Sequence, residues 1–473
     1  MLLYSFSFFI FFTLVFILFW KIPKRFQWIL LLAAGYYFYG SWKPAYLGLI
    51  LLTTLISYFA AIAIRRYTAY KTHLLVLALL FTLGSLFIFK YFNFFSLSIN
   101  QFFDFTFPQF KILLPIGISF YTLQITGYLL DVYKGKIQPE KHLGFFALFA
   151  CFFPQLSAGP IERASSLLPQ LKKERVFNYA EVAEGAKLFA FGLFKKMVIA
   201  DNLGIIVDRG FSTLPDHKGI SLIFIIFFYS WQIYMDFSGY TDMARGVAKM
   251  VGINLMENFN LPYLASSIQD FWRRWHISFS SWLRDYVYFP LGGSRDGLIR
   301  TIMNTLIVFT LSGLWHGASW NFVVWGLLHG IGISVERILK KITNSHISVP
   351  HFIKIIYTYS MITIFWIFFR SPTLPDALYI LRNAFVGAKN FNSPNYIWAS
   401  LNHLFVFNTV EIIITFGLVL IAVSLELIQR KASIFQLLNK LPSIARLVLY
   451  AVIIFMIIQL RNSQIKEFIY IQF

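Results

Sequence analysis

The stretch Leu311-Ser312-Gly313-Leu314-Trp315-His316-Gly317-Ala318-Ser319-Trp320-Asn321 places an imidazole well inside an apolar segment, with Ser312, Ser319 and Trp320 at helical spacing from it. An ionisable side chain at such depth is costly, so a functional role is its default meaning. Burial disfavours the imidazolium, and a neutral ring can take the proton of a hydroxyl as that oxygen attacks an acyl carbonyl. His316 is then a general base, and Gly313 and Gly317 clear room for a thioester or a sugar hydroxyl to approach the backbone. The alternative is a neutral histidine that bridges helices by hydrogen bonds, with the glycines as packing notches. His329, in the same apolar run, fits that bridging role better.

A second stretch runs from Phe271 to Tyr286 and carries Trp272, Trp275, Phe279, Trp282 and Tyr286, with Phe289 beyond, every three or four residues. That spacing predicts one amphipathic helix at the membrane interface. Arg273, Arg274 and Arg284 project away from the aromatic stripe and are candidates to bind the phosphates of a donor, although simple interfacial anchoring accounts for them equally. His276 lies beside the stripe, so it either reaches the cavity of His316 or forms a hydrogen bond in the core. A third stretch, Tyr229 to Asp242, ends an apolar run with Asp236 and Asp242, which are expected to pair with arginine or to line a cavity. Asp131 and Glu162 are read as structural for the same reason. No Gly-rich phosphate loop, zinc-ligand spacing or serine nucleophile elbow occurs, so neither metal nor ATP is implied.

The elements that must position these groups are membrane helices. Of the 473 residues, 58% are hydrophobic and only 13% charged, far from the balance of a water-soluble chain. That length corresponds to roughly ten spans of about 20 residues. The formal charge of +20 raises the possibility of a nucleic-acid partner, yet Lys21, Lys24, Arg25 and Arg65, Arg66, Lys71 cluster at the ends of apolar runs. That is the mark of cytoplasmic loops, and it places the N-terminus outside. Such a face also attracts anionic lipids or the phosphates of a carrier such as coenzyme A. The single cysteine, Cys151, permits no intrachain disulfide. Residues 1–20 lack a positive n-region and a cleavage site, which predicts a retained span.

Apolar runs at 2–20, 26–42, 45–64 and 73–95 are close to bilayer length and read as simple spans. From 112 to 335 the runs are interrupted by Gly, Pro and charge, at about 112–132, 142–153, 184–200, 220–235 and 302–335. The last is too long for one straight helix, and broken helices at this depth must line protein or a cavity. Simple spans return at about 352–369, 410–428 and 445–460. The expected architecture is an all-α polytopic membrane protein in one domain over 1–473, with N-terminal spans at 1–110, a catalytic core at 111–340 and C-terminal spans at 341–473. The interruptions do not fall in two matching halves, as they would in an inverted-repeat transporter.

At these residues the chain resembles the membrane-bound O-acyltransferase superfamily, in particular its bacterial alginate O-acetyltransferase-like branch, to which the D-alanyl transfer proteins of teichoic acids are related. The resemblance is carried by Leu114-Pro115-Ile116-Gly117-Ile118-Ser119-Phe120-Tyr121, Phe152-Phe153-Pro154, Ala158-Gly159-Pro160, Tyr229 to Asp242, Asp270 to Gly293, Leu311 to Asn321 and the terminal Phe468-Ile469-Tyr470-Ile471-Gln472-Phe473. It implies that His316 is the family's catalytic histidine and His276 its second recurrent histidine. It also implies an acyl thioester donor, acetyl coenzyme A, with no bound cofactor. The acyl group would pass from the cytoplasmic side of the bacterial inner membrane to a polysaccharide or an SGNH-type acetyltransferase partner outside. Gln155, Glu162 and Arg245 depart from the family pattern and bear on acceptor or partner. D-alanyl transfer, lipid acylation and a non-enzymatic transporter or flippase stay open as alternatives.

Overall fold

The computed structural model describes residues 1–103, 106–110, 112–342, 349–430, 434–460 and 468–469. Among these residues the regular structure is helical, with a lone antiparallel bridge between Phe259 and Trp275. Helices satisfy their own backbone groups, which is what lipid demands of a spanning segment. Eight are long and apolar enough to cross a membrane: Pro44–Arg66, Thr68–Phe103, Ile220–Met250, Gly297–His316, Trp320–Ile342, His351–Arg370, Thr409–Gln429 and Ser443–Leu460. Phe6–Lys21 is a shorter apolar helix, and Gln27–Gly40 packs behind it. The chain is a multi-pass membrane protein.

Ile220–Met250 is the hub. Its most apolar window is 78% buried, whereas that of Ser443–Leu460 is 0% buried, so the first is an inner helix and the second a lipid-facing one. The apolar run at 220–235 was expected to end at its carboxylates, but the helix continues through Asp236 and Asp242 to Met250. It can do so because Lys196 and Lys195, from a π-helical turn at Phe194–Ala200, meet those two carboxylates. A charge that is paired in place need not be expelled to the helix end.

The long run at 302–335 is two helices, Gly297–His316 and Trp320–Ile342, broken at Gly317 where the backbone becomes extended. They pack closely. A Cβ on Gly313 would strike the Phe322 carbonyl, one on Gly326 the Phe309 carbonyl, and one on Gly317 the Phe322 ring. Gly313 and Gly317 are therefore packing notches, and the space for a ligand lies elsewhere.

The expected interfacial helix at 271–286 is not formed. Ile268–Arg274 stops at Trp275, His276 takes a left-handed conformation with φ 44°, and Ile277–Leu283 begins afresh before a π-turn at Arg284–Tyr288. The cause is the neighbouring strand of chain at 258–260, which takes the backbone bonds a helix would have used. Ile277 N–H donates to Asn258 O at 3.0 Å, Ser278 N–H to Asn258 Oδ1 at 3.1 Å, and Asn260 N–H to Arg274 O at 2.9 Å. Trp272, Trp275, Phe279 and Trp282 are buried, so the aromatic stripe is core and not an interfacial anchor.

Candidate active site

His316 is the last residue of Gly297–His316 and is 3% exposed. Its ring is enclosed by Trp325, edge-on at 4.9 Å between centroids, and by Trp315, Phe279 and Phe369 at 5.0, 5.5 and 5.5 Å. The reversal at His276 turns that second imidazole into the same enclosure. It is fully buried, lies against Phe237 at 4.7 Å and Phe279 at 5.0 Å, and its centroid is 6.2 Å from that of His316. Two residues 40 positions apart in the chain thus share one aromatic chamber. His329 has the bridging role expected of it, since its Nδ1 accepts from Trp272 Nε1 at 3.1 Å.

One turn before His316, buried Ser312 lines a cleft of about 460 Å³. Arg273, Arg284 and Arg337 also line it, with Trp272, Phe309 and Val308 forming apolar wall. Arg274 does not line this cleft and pairs with Asp270 on its own helix at 3.0 Å. Of the arginines singled out in the sequence, two reach the cleft and one does not. Arg337 was missed, because a cation near the end of an apolar run reads as a topology signal.

A second cleft, of about 400 Å³, runs beside Ile220–Met250. Its cations are matched: Lys195 with Asp242, Arg245 with Glu257 at 2.8 Å and Lys249 with Glu184 at 2.7 Å. Asp236 pairs with Lys196, not with an arginine, and accepts the Ile469 N–H at 2.9 Å. Phe468 stacks on Tyr240 at 4.5 Å and touches Phe237, so the tail reaches the wall of the histidine chamber. The rest of the terminal motif, Tyr470 to Phe473, lies outside the described residues. Asp131 accepts from Tyr286 at 2.7 Å and Glu162 from Met256 N–H at 2.6 Å, the structural roles expected of both. Burial pushes the Glu162 carboxyl up to about 7.

Lys90 escaped notice altogether. It interrupts the fourth apolar run, and its Nζ donates to the carbonyls of Trp315 at 2.7 Å and His316 at 3.1 Å. The signal was present, because a lone cation within a span is the kind of residue that marks a site.

A family model described as MBOAT, membrane-bound O-acyltransferase family, matches residues 140–371, a stretch containing His276, His316, His329 and the whole arginine-lined cleft. Over 384 residues the chain is 39% identical to a peptidoglycan O-acetyltransferase of Helicobacter pylori, covering 75% of this chain and 72% of that one. It is 38% identical over 378 residues to a probable alginate O-acetylase AlgI of Azotobacter vinelandii, covering 78% and 74%. A teichoic acid D-alanyltransferase of Bacillus subtilis is 27% identical over 245 residues, 50% of this chain and 62% of that one. Likeness of this extent, on a helical membrane scaffold that buries its histidines together, makes the chain an acyltransferase and a member of the membrane-bound O-acyltransferase family.

Proposed function

We propose that the protein is an O-acetyltransferase in which His316 is the general base, acetyl coenzyme A is the donor and the acceptor is a hydroxyl of a polysaccharide or of an SGNH-type partner outside the bacterial inner membrane. The observation that carries this is the placement of His316 in an aromatic enclosure one turn from Ser312, which lines the arginine-bearing cleft. The phosphates of the donor fit Arg273, Arg284 and Arg337, and its thioester arm fits the apolar walls toward Ser312. His316 accepts the proton of the acceptor hydroxyl while that oxygen bonds to the acetyl carbon. The carbon–sulfur bond breaks, and the proton passes to the departing thiolate. His276 supports the chamber from the opposite side.

Acetyl is preferred to D-alanyl because relatives named for O-acetylation match at 39% and 38% identity over about three quarters of the chain, against 27% over half of it. The test is transfer of labelled acetyl from acetyl coenzyme A by the purified protein in lipid. His316→Ala is expected to lower it by about a hundredfold to ten-thousandfold, as removal of a general base does. Transfer at the wild-type rate would remove His316 from the chemistry. Solute uptake into vesicles without any acyl transfer would replace the enzyme with a transporter. Surface glycans of a deletion strain that keep their full O-acetyl content would refute the acceptor class.

A further inference from the structure

Lys90 is the only Lys or Arg between Lys71 and Lys111, inside the 36-residue helix Thr68–Phe103, whose most apolar 18-residue window has a mean hydropathy of 2.2. A cation there is costly unless something meets its charge. No carboxylate of the described residues forms an ion pair with it. Its ammonium instead donates to Trp315 O at 2.7 Å, to His316 O at 3.1 Å and to Ser119 Oγ at 3.4 Å. The first two are carbonyls at the end of Gly297–His316, where a helix has no partners of its own and carries its negative pole. All three donors of the side chain are directed to this corner.

Two local features bring Lys90 there. It sits in a π-helical turn, Phe87–Tyr91, whose extra residue rotates the following side chains relative to a regular helix. Ser119, which it also reaches, offers its carbonyl to Trp315 Nε1 at 3.3 Å, while the Trp315 ring stacks on Phe279 at 4.2 Å. Lys90, Ser119 and Trp315 thereby close a triangle around the peptide that precedes the His316 ring. His316 is the terminal residue of a helix that breaks at Gly317, a place where helices fray unless they are held.

We propose that Lys90 is a positioning residue for His316: it clamps the last carbonyls of the helix and so holds the imidazole at the chamber wall. A base must be held to within a fraction of an ångström to be productive. The inference rests on the catalytic reading of His316 for its purpose, but the clamp itself is measurable without it.

The experiment compares K90M and K90R with wild type in the full chain in lipid nanodiscs. Carbethoxylation of each histidine by diethyl pyrocarbonate, followed by mass spectrometry, reads the clamp, and acetyl transfer from acetyl coenzyme A reads its consequence. K90M is expected to raise labelling of His316 about tenfold relative to His329 and to lower kcat about tenfold or more, with KM for acetyl coenzyme A changed less than about threefold. K90R, which keeps charge and several donors, is expected to return both toward wild type. Wild-type labelling and kcat in K90M would overturn the proposal, as would an equal rise at His276, His316 and His329, which marks general loosening. Where K90M does not fold, K90Q carries the same comparison, since it keeps an amide donor without the charge. If H316A retains transfer while K90M still frees His316, the clamp stands and the catalytic reading falls.

Discussion

Two parts of the molecule hold ionisable side chains away from water, and they meet that cost in opposite ways. Around Ile220–Met250 the buried cations have anions: Lys196 lies between Asp236 and Asp201, and Lys195 shares Asp242 with Arg245. Around His316 the groups are two imidazoles among aromatic rings, a lysine met by carbonyl oxygens, and a cleft in which Arg284 pairs with Asp285 at 2.9 Å while Arg273 and Arg337 form no ion pair among the described residues. Paired charge holds helices together, whereas a cleft of about 460 Å³ lined by arginines and apolar side chains has the character of a ligand site.

That contrast can be broken by substitution. The largest effect on activity is expected from His316→Ala, about a hundredfold or more in acetyl transfer, with a melting temperature close to wild type. His276→Ala should lie between it and wild type, and the order of the three rates checks which imidazole is nearer the chemistry. The paired region should respond in the other currency. Lys196→Met leaves Asp236 and Asp201 without their cation and is expected to destabilise the protein by about 3–5 kcal/mol, read by thermal unfolding in detergent. Equal melting temperatures for K196M and H316A would erase the distinction between the regions.

Smaller effects sharpen it. Arg337→Ala is expected to raise KM for acetyl coenzyme A about tenfold with little change in kcat, and Arg274→Ala, outside the cleft, to leave both within about twofold. Equal KM values for the two variants would move the donor away from this cleft. The smallest effect concerns Glu162, whose carboxyl is raised from 4.5 to about 7 by burial. The folded state therefore holds a proton that the unfolded state releases, and this contribution to stability is lost as pH rises from about 4.5 through about 7. Glu162→Gln keeps the acceptor for Met256 N–H, so it should flatten the fall in melting temperature over that interval. An unchanged pH profile would show that the carboxyl is not buried as described.

The apolar runs and the need for a break somewhere within 302–335 were legible in the chain because partition into lipid and helix breaking are set largely by local residue types; the place of the break was not, since Ser319 and Trp320, expected at helical spacing from His316, lie beyond the helix that ends there. The pairing of Asp236 and Asp242 was also foreseeable as a need, though not that lysines from a π-turn would fill it. The aromatic stripe misled because the same period serves an interfacial helix and a buried one. Its interruption at His276 depends on Asn258, whose backbone and side chain take two amide hydrogens, and no periodicity within 271–286 carries that information.

What the sequence by itself determined is the solvent of this protein, the helical class that follows from it, and a short set of residues too polar for their surroundings. These are properties of individual residues and of near neighbours in the chain. Only the tertiary structure decided that His276 and His316 face one chamber, that Arg337 joins Arg273 and Arg284 while Arg274 does not, and that Lys90 clamps the end of a helix more than 200 residues away. Each of those outcomes depends on which distant backbone groups and charges arrive at the same place, and packing settles that only when all the helices are present.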